Sequence, residues 1–203
     1  LMCYFIGDDP SYWRRVEEFS RKTGLRVKVI PVTENACRQP YDLADGLSPQ
    51  EWLGYLDEAQ MPHFGTLYPY RSDGSDVYIT VDVKGVTFGF LGVSYPQEAD
   101  KKRIANRIAS LREQGADVVV LSLHWGREEQ PQPQSGSASY AKYCIDAGAD
   151  IIYGQHPHVL QTVQFYNGKP ILYSTGNFTF GSMSHVDPDT GIFQLTWDIV
   201  DGE

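Results

Sequence analysis

Apolar and polar positions recur along this chain with two different periods, one helical and one extended. Cys3–Ile6 is a short apolar run ended by Gly7-Asp8-Asp9-Pro10. Between Ser11 and Thr23, Tyr12, Val16 and Phe19 fall at helical spacing, and Gly24 supplies a stop. Leu25, Val27 and Val29 against Arg26 and Lys28 then follow the two-residue period of a strand with one buried face. Thr33–Leu47 is polar and reads as a long loop. Ser48-Pro49-Gln50-Glu51 combines an N-cap serine, a first-position proline and a glutamate at the third position, so a helix is predicted to start there. It carries Trp52, Leu53 and Leu56 and closes at Pro62.

Val77–Val83 and Val86–Val93 are β-rich runs joined by Lys84-Gly85, the pattern of a hairpin. Residues 100–114 predict an amphipathic helix with Ile104, Ile108 and Leu111 on one stripe and Gly115 as the stop. Residues 117–123 form the continuous apolar run of a strand covered on both faces. A second helix is predicted over 137–147, followed by a second buried strand over 150–153. The last third reads as β: Val159–Tyr166, an Asn167-Gly168 turn, Ile171–Ser174 and Ile192–Val200. Helices alternating with buried strands predict an α/β fold, a layered sheet with helices packed on it.

The 203 residues suit one medium domain or a domain with a small appendage. Apolar residues make up 41%, which is far from a disordered composition, and no apolar run is long enough to cross a bilayer as a helix. A net charge of −9 argues against broad nucleic-acid binding, which needs basic surface. Polyanionic substrates stay open, because a bound metal ion supplies local positive charge that composition does not count. Cys3, Cys37 and Cys144 include no CxxC pair; one disulfide and three free thiols both fit. The first residues lack the basic flank and apolar length of a signal peptide, and Leu1 is not an initiator methionine, so upstream sequence is an open expectation.

Five histidines are present, and three fall at one kind of place. His124 follows the buried run ending at Leu123, and His156 and His158 follow the one ending at Tyr153. In open α/β sheets, ligands bind beyond the carboxyl ends of parallel strands. Neighbouring strands would therefore gather all three imidazoles at one edge, a donor set that suits zinc, manganese or iron. Gly154 is expected to let the backbone turn sharply there, and Pro157 to stiffen the pair. The competing reading is that these are ordinary strand-end and loop histidines bonded to carbonyls. His63 and His185 lie in loop-like contexts that point to no site.

His124-Trp125-Gly126-Arg127-Glu128 resembles the HWGxE motif of the bacterial capsule-synthesis CapA family, also called the poly-γ-glutamate capsule family. Asp146-Ala-Gly-Ala-Asp150 followed by Gly154-Gln155-His156-Pro157-His158-Val159-Leu160-Gln161 resembles its DAGAD…GxHPHVLQ segment, and Lys169–Phe178 is similar to its GKPIxYSxGNF segment. The resemblance covers roughly residues 48–200. It implies a calcineurin-like metallophosphoesterase-type fold with a divalent metal site (manganese, zinc or iron). Carried over, His124, His156 and His158 match metal-binding positions, Asp8 could mimic a first Gly-Asp ligand, and His124, Glu128 and Asn177 match positions with catalytic or site-lining roles. The family resemblance also implies a role in capsule or anionic surface-polymer biosynthesis. Its expected partners are poly-γ-glutamate or a phosphoester and a membrane-associated capsule synthesis complex, at an extracytoplasmic, cell-surface location.

Residues 1–47 depart from the family as a divergent strand–helix–strand segment, against a CapA-like domain over 48–203. Where the family carries an Asn-Asn-His segment, this chain has Arg38–Gly46 with neither asparagine nor histidine, and residues 12–32 faintly resemble the start of extracellular solute-binding proteins. A divergent or truncated member and a fusion with a different N-terminal half both fit. Three neutral imidazoles offer no negative charge to offset two dications, so two-metal chemistry would need Asp8, Asp9, Asp42 or Asp45. Two functions follow: a metal-dependent hydrolase, or a non-catalytic accessory or polymer-binding domain that has lost part of its metal shell.

Overall fold

The computed structural model describes Pro62, Phe64, Gly65, residues 78–177 and residues 189–196. Apart from Pro62, these belong to the compact unit that spans His63–Glu203. The segment predicted as strand–helix–strand, the helix from Ser48, the 47/48 boundary, Asp8, His63 and His185 lie outside the described residues.

Six strands form one mixed sheet: β1 (Tyr78–Val83), β2 (Val86–Ser94), β3 (Val118–His124), β4 (Ile151–Gln155), β5 (Val163–Tyr166) and β6 (Lys169–Leu172), in the order β1-β2-β3-β4-β6-β5. The four inner strands run parallel, and β1 and β5 pair antiparallel at the edges. Both hairpins turn where the sequence predicts. Lys84 and Gly85 (φ 57° and 84°) and Asn167 and Gly168 (φ 51° and 75°) adopt the left-handed pairs that match strand twist. Two helices, α1 (Lys101–Glu113) and α2 (Ser137–Asp146), connect β2 to β3 and β3 to β4.

Residue period decides the two faces. Val119, Leu121 and Leu123 of β3 join Leu91, Ile152 and Ile171 under α1 (Ile104, Ile108, Leu111) and α2 (Tyr140, Ala141, Cys144, Ile145). Val118 of β3, with Ile151 and Leu172, forms a smaller cluster on the other face, joined by Val86, Phe88, Val120 and Leu195. The unbroken apolar run of β3 therefore reflects packing on both sides of the sheet. Cys144 is a free thiol buried in the larger core.

At the amino ends of the inner strands, the Asp150 carboxylate accepts from the Val119 N–H and the Arg112 guanidinium and pairs with Lys169 Nζ at 3.0 Å. Arg112 also donates to the carbonyls of Ala116, Asp117 and Gly148. Asp146 accepts from the Tyr166 hydroxyl and the Asn167 amide, both at 3.2 Å. Both acids of the Asp146–Asp150 motif thus hold the scaffold together.

Two expectations need correction. Residues 192–196 form no strand, and Ile192 is 85% exposed. An extended run becomes a strand only where it finds a partner, and among the described residues pairing here stops at the Gly176–Thr190 bridge. Gly154 makes no sharp turn; it lies inside β4, buried, where an added Cβ would collide with the backbone of Leu172 and Tyr173. Glycine is required there for close approach of two chain segments. Gly154→Ala is expected to cost ~1–3 kcal/mol or more through overpacking. Asp150→Ala should cost about 2–3 kcal/mol by leaving Arg112 and the Val119 N–H short of a partner. Urea denaturation midpoints of the two variants check both values.

Candidate metal centre

The register of the parallel strands aligns Ser94, His124 and Gln155 in one row, so the residues just past them share one edge of the sheet. The ladder continues beyond the strand ends: Tyr95 N–H donates to His124 O at 2.7 Å, and Trp125 N–H to Gln155 O at 3.0 Å. Rows of hydrogen bonds thereby fix the spacing of His124, His156 and Tyr95 before any side-chain contact is considered.

Their rings pack together. The His124 and His156 centroids lie 4.7 Å apart, and those of His156 and His158 lie 6.0 Å apart. Tyr95 stands edge-on to both His124 and His156, at 5.2 and 5.1 Å. Sequence reasoning missed Tyr95, whose only signal is its place immediately after β2. Ligand atoms of Glu128, His156 and His158 lie within 4.8 Å of one another. His124 stands beside this trio, against His156. Asn177 is hydrogen-bonded to His158. Asp8 lies outside the described residues.

The loops that carry these groups are tied to one another. Glu129 N–H donates to Pro157 O at 2.8 Å, which brings the segment after His124 alongside His156-Pro157-His158. Gln161 donates through Nε2 to the carbonyls of Gln130 and Gln132, pinning the glutamine- and proline-rich loop. Trp125 stacks on Tyr173 at 5.8 Å and donates its indole N–H to Tyr173 O. The tryptophan and the terminal glutamine of the recognisable motifs thus serve the scaffold around the histidines.

The backbone is strained at the histidines themselves. His156 has φ 101° and His158 φ 59°, and Tyr95 has φ 46°. Non-glycine residues in this region cost of order 1 kcal/mol or more and concentrate at functional sites. Pro157 between them is fully buried, so the pair is held from the inside.

Burial, with the neighbouring His156 and His158 adding to it, pushes His124 down to about 4 from its ordinary 6.5, against the opposing pull of Glu128. Burial also lowers His156, opposed by Glu128. Both rings are therefore neutral near pH 7, the form in which imidazole offers a lone pair to a metal. His156, His158 and Glu128 match the His-His-Glu donor set of single-ion catalytic sites. Glu128 also supplies the negative charge that three imidazoles lack.

A histidine whose pKa is lower folded than unfolded binds more protons in the unfolded chain, so stability is complete above pH ~6.5 and declines as pH falls toward ~4. The metal-free protein is expected to show a melting temperature that drops across this window. His124→Asn should flatten the slope, as read from thermal melts at half-unit pH steps.

The model of the bacterial capsule synthesis protein family PGA_cap matches residues 45–182, well over half of the chain. The PGA biosynthesis protein CapA of Bacillus subtilis is 51% identical over 65 residues, which is 32% of this chain and 17% of that protein. The capsule biosynthesis protein CapA of Bacillus anthracis is also 51% identical over 65 residues, 16% of its length. The matched segment spans less than a fifth of either relative. A solved structure described as a 5′-nucleotidase from Staphylococcus aureus aligns at 13% identity and a TM-score of 0.42, covering 80% of this chain and 42% of that one. With His124, Glu128, His156, His158 and Asn177 all inside the matched span, the chain belongs to the bacterial capsule synthesis protein PGA_cap family.

Proposed function

We propose that this chain carries a single-ion, metallophosphoesterase-like centre that acts in the biosynthesis of an anionic surface polymer, with poly-γ-glutamate or a phosphoester as substrate. The carrying observation is that ligand atoms of Glu128, His156 and His158 lie within 4.8 Å of one another, the two histidines on left-handed backbone. Relatives named for capsule or PGA biosynthesis support the polymer assignment. In this reading the centre works outside the cytoplasm, beside a membrane-associated capsule synthesis complex, and takes manganese, zinc or iron.

Glu128, His156 and His158 would hold the ion, and an ion so held supplies Lewis acidity and an acidified water. His124, neutral near pH 7 and packed against His156, steadies the neighbouring ring. Tyr95 covers the edge of both imidazoles and limits access of water from that side.

A single ion without a bridging carboxylate lacks the two-metal clamp on attacking and leaving oxygens, so turnover is expected to be slow. This favours the accessory reading as the second one: polymer binding with weak hydrolysis. Elemental analysis of purified protein should find about one transition metal per chain, lost in His156→Ala. Assays with a generic phosphodiester and with poly-γ-glutamate, with added manganese or zinc, should show weak activity. Robust turnover abolished by His156→Ala would overturn the single-ion reading and bring acidic residues such as Asp8 or Asp45 into the site.

A further inference from the structure

We propose that Asn177 is a positioning residue that fixes His158 in one tautomer, with the proton on Nδ1 and the lone pair on Nε2. The sheet geometry puts the two residues opposite each other. Leu160 and Thr175 form an antiparallel bridge, and two steps outward along each strand from that bridge lead to His158 and Asn177. The Asn177 segment is anchored by Thr190, whose hydroxyl donates to Thr175 O at 2.9 Å, and by the Gly176–Thr190 bridge.

Two hydrogen bonds then join the same pair of residues. Asn177 Nδ2 donates to the backbone carbonyl of His158 at 2.9 Å. A carbonyl only accepts, so this bond settles which end of the Asn177 amide is nitrogen. The amide oxygen therefore faces the ring, with Oδ1 2.8 Å from His158 Nδ1. An amide oxygen also only accepts, so Nδ1 carries the hydrogen, and in the neutral ring Nε2 carries the lone pair. One side chain thus holds both the backbone of His158, at φ 59°, and the direction of its imidazole.

Asparagine meets this requirement because it offers one donor and one acceptor on a short side chain. Leucine of similar size offers neither, and aspartate keeps only the acceptor. Metal-binding histidines have their second nitrogen bonded to such an acceptor, which sets the tautomer and the ring direction. Asn177 therefore acts through His158, without touching the reacting atoms. Its consequence for metal binding rests on the single-ion reading above, whereas the tautomer assignment stands without any metal.

The test uses the chain with Asn177→Leu and Asn177→Asp, selectively labelled with 15N-histidine and free of metal at pH 8. Long-range 1H–15N correlation spectra distinguish protonated from unprotonated ring nitrogens. The wild type and Asn177→Asp should show His158 protonated at Nδ1 alone, and Asn177→Leu should show mixed tautomers. Zinc titration by competition with a chelating dye should show a ~10–100-fold loss of affinity in Asn177→Leu, largely restored in Asn177→Asp. An unchanged Nδ1–H tautomer in Asn177→Leu would overturn the proposal, as would mixed tautomers in Asn177→Asp. If Asn177→Leu does not fold, the Asn177→Asp spectrum decides. A wild type that binds no zinc yet shows the expected spectra would support the role of Asn177 and reject the metal reading.

Discussion

The carboxylate of Asp150 fixes the register on which the rest of this domain depends. It receives the Val119 N–H from β3, the Arg112 guanidinium from α1 and the Lys169 ammonium from β6, while its own backbone leads into β4. Its charge is partly shielded from solvent and shared among three donors from three elements, a geometry that favours one arrangement over slipped ones. A one-residue slip of β3 against β4 would exchange the two faces of the sheet and break this junction. Because parallel pairing transmits register along the strand, a lock at the amino ends also determines which residues emerge together at the carboxyl ends.

That transmission explains how groups distant in sequence share a site. His124 ends β3 and His156 follows β4, two strands joined by a helix, yet the first stands in the row of aligned partners and the second is one step past it. The seam between β4 and β6 is narrow because Gly154 has no side chain, and this lets the segment after β6 carry Asn177 to the histidines. The apolar core beneath α1 and α2 supplies stability, while the hydrogen-bond rows supply placement.

Much of this was legible from sequence. The helices over 101–113 and 137–146, the central strands and both hairpins follow from periodicity and turn chemistry that local physics enforces. The gathering of His124, His156 and His158 was legible because each follows a buried apolar run. What escaped depended on partners that a linear pattern does not show. Residues 192–196 look like a strand but pair with no neighbour among the described residues, and Gly154 looks like a turn but serves a close crossing of chain segments. Tyr95 carries no motif of its own, and its place against two imidazoles comes from the strand ladder. The acids of the Asp146–Asp150 motif are conspicuous in sequence, but their work is at the opposite end of the strands from the histidines.

The left-handed backbone at His156 sets the stability of this domain against the side chain it carries there. At φ 101° glycine would sit more comfortably than histidine, by about 1 kcal/mol. Selection for folding strength alone would therefore tend to erase the imidazole, and a library ranked by heat resistance would be enriched in chains that carry glycine at this position.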